Sequence, residues 1–285
     1  MRSASSTAAT ADTVPPADAS AFRNRVVSAL ILAPVALGAA YFGRPAWDGL
    51  VAVMGASMAW EWARLCSGGR LSRVGAVSMA ITPAALAVAA LAGVIPALII
   101  VGAGVVLVGL GASLEGTRNP AWPAAGVAYV GAPCLAMVWL RARPDDGLAT
   151  LLWALALVWA TDTGAYVAGR GIGGPKLAPR ISPNKTWAGL IGGMVAAAAV
   201  GLAASLLLAD VPASIAVPVS AALAVVEQAG DLFESAVKRH FGVKDSSRLI
   251  PGHGGVLDRV DGLLAVSLAV AALSWAAGHT ILIWR

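Results

Sequence analysis

The sequence predicts an all-α polytopic membrane protein with about nine transmembrane helices. Three observations point there. Charged residues are 12% of the 285, against about 25% in an ordinary soluble domain. Ala, Val, Ile, Leu, Met, Phe, Trp, Tyr and Cys make up 58%, with 32 Gly besides. Such a chain cannot build a charged aqueous surface, and its apolar content excludes disorder over most of its length. Finally, 41 residues from Val74 to Leu114 contain no Asp, Glu, Lys or Arg. At ~1.5 Å per residue that is about 60 Å of helix, twice the ~30 Å hydrocarbon core, so the stretch holds two spans.

Residues 1–21, rich in Ser, Thr, Ala and Pro, read as a disordered cytosolic tail. A cleaved signal peptide would place its apolar core close behind the basic start, and here the first apolar run begins at Val26. Spans follow at 26–43, 47–66, 74–92, 95–114, 122–140, 148–168, 187–209, 212–232 and 262–284. The third and fourth are separated at Gly93-Val94-Ile95-Pro96. Eight tryptophans (Trp47, Trp60, Trp62, Trp122, Trp139, Trp187, Trp275 and Trp284) fall near span ends, as interfacial belts require. Cys66 and Cys134 lack partners at metal-ligand spacing and read as small apolar residues.

Basic residues orient the bundle. With a cytosolic N-terminus, 16 of the 20 Lys and Arg fall on the cytosolic side, leaving Arg44, Arg141, Arg143 and Arg285 opposite. The odd span count puts the C-terminus outside. Residues 22–145 then form an apolar scaffold of five spans. Residues 146–285 form a catalytic region of four spans, whose long loops, 169–186 and 233–261, face the cytosol. A cytosolic basic face suits phosphates and anionic headgroups.

The chemistry-bearing residues cluster late. Glu227, Asp231, Glu234 and Lys238 recur at i, i+4, i+7 and i+11 and share one helix face. An acid at membrane depth costs ~2.5–3.5 kcal/mol on insertion scales. The stripe therefore fits either a polar cavity or a helix end surfacing among headgroups as a salt-bridge ladder. Asp258 and Asp261, at i and i+3, present their carboxylates on one side. Placed against Asp231 they would make an oxygen-rich pocket for a hard cation such as Mg2+. The other reading of the two is acids at a helix N-terminus. Lys238, Arg239, Lys244 and Arg259 are candidates to neutralise phosphate oxygens. Asp162 lies inside the sixth span, which makes it a site candidate by default. Lys185, at a helix start, is placed to grip a phosphate or to anchor topology. Glu61 and Arg64, three apart, read as an interfacial salt bridge.

One run resembles a known family. Ser235-Ala-Val-Lys238-Arg239, then Lys244-Asp245, then Pro251-Gly-His253-Gly-Gly-Val-Leu-Asp258-Arg259-Val-Asp261 is similar to the hallmark pattern of phosphatidate cytidylyltransferases, the CDP-diacylglycerol synthases. The segments DTGAY at 162–166, SPNKTWAG at 182–189 and the run Gly230-Asp231-Leu-Phe-Glu234-Ser235 also look like that family. The likeness is sharp over about 160–265, and one departure is Ala188, where the family commonly carries an acid.

The resemblance implies a nucleotidyltransferase of phospholipid biosynthesis. A phosphatidate oxygen attacks the α-phosphorus of CTP, giving CDP-diacylglycerol and pyrophosphate, with Mg2+ and room for a second cation. It implies metal binding by Asp231, Asp258 and Asp261, with Lys238 and His253 beside them in catalysis. Ser182, Lys185, Lys238, Arg239, Lys244 and Arg259 would bind substrate. Asp162, Asp245 and Glu234 would stand behind or next to the metal. His253 could equally contact phosphate, protonate departing pyrophosphate, or brace its loop. The implied partners are CTP, phosphatidate and the bilayer of the cytoplasmic membrane, not nucleic acid; a homodimer is compatible. The alternatives are a CTP-dependent enzyme acting on an ether lipid or polyprenol, and a transporter. The C-terminal clustering of the acids argues against the transporter.

Overall fold

The computed structural model describes residues 19–208, 211–250, 254–279 and 282, with side chains from Leu30 onward. Among the described residues there are nine α-helices: α1 (Ala19–Phe42), α2 (Ala46–Cys66), α3 (Arg73–Ala92), α4 (Val94–Leu114), α5 (Ala121–Arg141), α6 (Gly147–Gly171), α7 (Trp187–Leu207), α8 (Ala213–His240) and α9 (Leu257–Ala277). Of these, α3 to α9 are long and apolar enough to cross a membrane. Prolines inside α1, α3, α5 and α8 are of the kind membrane helices tolerate, because neighbouring groups satisfy the freed carbonyls.

α5 is the hub, packed against α2, α3, α4, α6 and α9. Its buried run Pro133 to Val138 gives the core. In contrast, α4 and α7 display Leu98, Ile99, Leu107, Leu110, Ile191, Val195 and Leu202 on outer surfaces. Apolar side chains facing outward along a long helix fit lipid rather than water. α6, α7 and α8 pack as a close trio. At Gly164 and Gly192 the α6 and α7 backbones meet directly: a Cβ on Gly192 would lie 2.7 Å from the Gly164 carbonyl oxygen. Small residues at such crossings permit the close van der Waals approach that joins helices in lipid.

Several expectations change. The Gly93 break and the bounds of α3 and α4 hold to within a residue. Residues 19–21, expected in the tail, begin α1; the rest of that tail lies outside the described residues. α8 runs eight residues past its expected end. α9 starts five residues early, so the expected loop 233–261 shrinks to 241–256. Hydropathy misses these ends because they carry charged residues, of which Glu234, Lys238 and Asp258 turn into a protein-lined interior while Arg239 and Arg259 stay exposed. The other polar loop holds a two-stranded hairpin, β1 (Lys176–Ala178) antiparallel to β2 (Ser182–Thr186). β2 feeds straight into α7, whose N-cap Thr186 accepts the Gly189 N–H at 3.0 Å. Trp47 and Trp62, expected in interfacial belts, are buried instead. Their indole N–H groups donate to the carbonyls of Met137 and Trp122. An indole with an internal acceptor sits comfortably in the core.

Candidate active site

α8 extends far enough to carry Glu227, Asp231, Glu234 and Lys238 on one continuous face. That face meets two different environments. In the upper half, Lys185 reaches across from the end of β2. Its Nζ lies 2.5 Å from Asp231 Oδ2 and 2.9 Å from Gln228 Oε1. Gln228 in turn donates to Glu227 Oε2 at 2.7 Å. Asp162 of α6 is in side-chain contact with Glu227. Asp261 of α9 faces both Asp231 and Asp162 closely enough for like charges to repel. Gly262, the next residue, lets α9 press on Glu227: a Cβ there would sit 2.7 Å from Glu227 Oε1. Three helices thus deliver four carboxylates to one neighbourhood, with Lys185 the cation bonded into it. A pocket of about 200 Å3, lined by Asp162, Tyr166, Asn184, Lys185, Gln228 and Asp231, opens beside them.

In the lower half, Lys238 is clamped between Glu234 and Asp258, 2.7 Å from Asp258 Oδ1. All three are nearly buried, with side chains 12%, 3% and 4% exposed. Asp258 is also held by the Ser246 N–H and O–H, each at 2.9 Å, and by the Gly255 N–H at 2.7 Å. It is thus an acid in the first turn of α9, bonded to the backbone around that helix start.

The same helix end receives a second carboxylate. Glu61 of α2 is fully buried and accepts from the N–H groups of Val256 and Leu257, both at 2.8 Å, and from Ser247 Oγ at 2.7 Å. The expected Glu61–Arg64 salt bridge is thereby corrected. Arg64 lies over the Trp60 ring instead, 4.7 Å from its centroid. Two carboxylates at one helix start match the partial positive charge and the free N–H groups there. Spacing reveals only nearby partners, and those of Glu61 lie 186 to 196 residues away. The available signal was an acid in the body of an apolar span.

The other expected residues are spread around this centre. Ser182 starts β2 in register with Ala178. Arg239 is exposed and donates to the Val243 carbonyl, closing the end of α8. Arg259 is exposed on the first turn of α9. Lys244 and Asp245 are exposed and line a separate, larger cleft. His253 lies outside the described residues.

A hard divalent cation suits the upper group chemically. Asp162, Glu227, Asp231 and Asp261 are oxygen donors whose mutual repulsion a cation would relieve. Among the described residues no three His, Cys, Asp or Glu side chains are drawn into one ligand cluster. Asp258 fits less well than Asp231 or Asp261, because four donors already occupy its oxygens.

A family model described as "Cytidylyltransferase family" matches residues 23–276. Among similar proteins is a phosphatidate cytidylyltransferase of Brucella suis, 56% identical over 147 residues, 51% of this chain and 54% of the relative. One of Staphylococcus haemolyticus is 47% identical over 150 residues, 52% and 56% of the two chains. One of Pseudomonas aeruginosa is 40% identical over 279 residues, 90% of this chain and 98% of the relative. The matched stretch thus spans about half the length of the first two relatives and nearly all of the third.

Proposed function

The chain belongs to the cytidylyltransferase family, and from that premise we propose that it transfers the cytidylyl group of CTP to phosphatidate, releasing pyrophosphate. A phosphatidate oxygen attacks the α-phosphorus as the bond to the bridging oxygen of pyrophosphate breaks. The nucleophile is already an anion, so positioning and charge neutralisation matter more than a strong base. The observation that carries this reading is the group of carboxylates on α6, α8 and α9 joined to Lys185 beside an open pocket.

Asp231 and Asp261, supported by Asp162 and Glu227, would hold Mg2+. Bound there, the cation supplies charge neutralisation and orientation of phosphate oxygens. Lys185 is the cation best placed to meet a phosphate at the small pocket. Lys238 keeps Glu234 and Asp258 in place and so fixes α8 against the start of α9. Asp258 anchors that start rather than offering free oxygens.

The proposed setting is the cytoplasmic membrane, crossed nine times, with the N-terminus and both long loops in the cytosol and the C-terminus outside. The 16-to-4 distribution of basic residues supports it. A soluble nucleotide and a membrane-held phosphate would then meet where α6, α8 and α9 surface.

Purified protein in detergent, given labelled CTP, dioleoyl phosphatidate and Mg2+, is expected to form CDP-diacylglycerol. An active preparation that converts a polyprenol phosphate but not phosphatidate would overturn the substrate assignment. Absence of any CDP-lipid would overturn the reaction.

A further inference from the structure

The second cleft has a chemistry of its own. It lies between the C-terminal end of α2 and the segment after α8, with a volume of about 790 Å3. That is within the ~300–1,000 Å3 typical of small-molecule sites. Its lining includes Trp60, Arg64, Lys244, Asp245, Ser246 and Arg248. Three cations therefore face one acid. Among the described residues none of the three is ion-paired. Lys185 and Lys238, by contrast, are bonded to acids, Lys185 to Asp231 and Lys238 to Asp258. Unpaired charges of one sign converging on a concave surface focus a field on an incoming anion.

Two features prepare this cleft for a ligand. Gly68 and Gly69 turn the chain at the foot of α2 with φ of +63° and +92°, and no atom lies within 4 Å of a Cβ built on either. The turn thus leaves one wall low and open. The opposite wall is tied to the catalytic centre. Ser246 bonds Asp258, and Ser247 bonds Glu61, so the wall is fixed to the start of α9 from both sides.

We propose that this cleft is a phosphate-binding subsite in which Arg64 and Arg248, together with Lys244, hold a multiply charged phosphate group of a substrate. The proposal rests on the cytidylyl-transfer reading for which substrate is meant. The triphosphate of the nucleotide and the phosphomonoester of the lipid share the required chemistry. Arginine is suited to either, because its planar donors match phosphate oxygens two at a time.

The test compares wild type with Arg64→Gln/Arg248→Gln and with Arg64→Lys/Arg248→Lys in detergent. Binding of labelled CTP without lipid is measured by equilibrium dialysis, with inorganic tripolyphosphate as competitor. KM is measured separately for CTP and for phosphatidate. The Gln pair is expected to weaken CTP binding and raise the CTP KM roughly tenfold, equivalent to about 1.4 kcal/mol. kcat should stay within about threefold, as for lost uniform binding. The Lys pair should recover most of the affinity, which a folding defect would not. A rise confined to the phosphatidate KM would assign the same cleft to the lipid headgroup. If neither KM nor CTP binding changes, the subsite does not exist. Wild type that binds CTP but transfers nothing would overturn the reaction and leave the cleft standing. A Gln pair that transfers normally would do the reverse.

Discussion

Glu61 on α2 and Leu257 on α9 are joined by a 2.8 Å hydrogen bond from the Leu257 N–H to the Glu61 carboxylate, across 196 residues of chain. The bond fixes the start of the helix that carries Asp258 and Asp261. It ties the N-terminal half of the molecule to the proposed site.

Removing the Glu61 carboxylate should therefore loosen α9 first. Glu61→Ala orphans the Val256 and Leu257 N–H groups and the Ser247 hydroxyl. Each buried orphan costs about 1–3 kcal/mol. Hydrogen exchange is expected to accelerate at Val256 and Leu257 while α3 and α4 stay protected. Glu61→Gln retains one acceptor and should fall between. Unchanged exchange at 256–257 in the Ala variant would show that Asp258 alone holds the helix start.

A second prediction concerns Lys238. Deleting its charge leaves Glu234 and Asp258 facing each other in a nearly dry site. Breaking a buried pair by removing one partner costs roughly 3–5 kcal/mol. Lys238→Met should lower thermal stability in detergent by an amount of that order. Adding Glu234→Gln should recover part of it, since one of the two uncompensated acids is then gone. If the double variant is no more stable than the single one, the clamp does not hold α8 to α9.

Much of this architecture is legible in the sequence, and what escapes does so for physical reasons. The spans α3 and α4 are found nearly to the residue because no charge interrupts them and Gly93 marks the break. The acidic face of α8 is found because helical periodicity is local. Spacing gives the direction of the Asp258 carboxylate but not what bonds it. Only the fold shows that Lys238, Ser246 and Gly255 already claim its oxygens. The partners of Glu61 escape a local reading because they lie nearly two hundred residues away, whereas Arg64 is three residues on. Hydropathy located the start of α9 too late because it counts Asp258 and Asp261 as loop-like, wherever they point.

Residues of both α6 and α7 line the small pocket. Asp162 sits two residues before Gly164, and Lys185 two before the start of α7 at Trp187. A Cβ at position 192 would force the helices apart at Gly164. Gly192→Ala is thus expected to reduce CDP-lipid formation and to lower stability by about 1–3 kcal/mol, the usual cost of overpacking. Gly102→Ala on α4, where no atom lies within 4 Å of the added Cβ, should be neutral or stabilising by up to ~1 kcal/mol through helix propensity. Equal effects from the two would mean that the crossing is not tight in the membrane.

The three aspartates should separate by their response to Mg2+. Asp231 and Asp261 belong to the carboxylate group that would hold the cation, whereas Asp258 is bonded to Lys238 and three other donors. Asp261→Asn, which keeps the shape and removes the charge, is expected to raise the Mg2+ concentration for half-maximal transfer by about 10–100-fold. Asp231→Asn should do the same and also free Lys185. Asp258→Asn should instead lower stability, by weakening its bonds to Lys238, Ser246 and Gly255, with a smaller change in the Mg2+ requirement of the folded fraction. Titrating Mg2+ at fixed CTP and phosphatidate, alongside thermal unfolding of each variant, measures both. A Mg2+ midpoint that moves equally in all three variants would place Asp258 among the ligands, with its present donors exchanged for the cation during turnover.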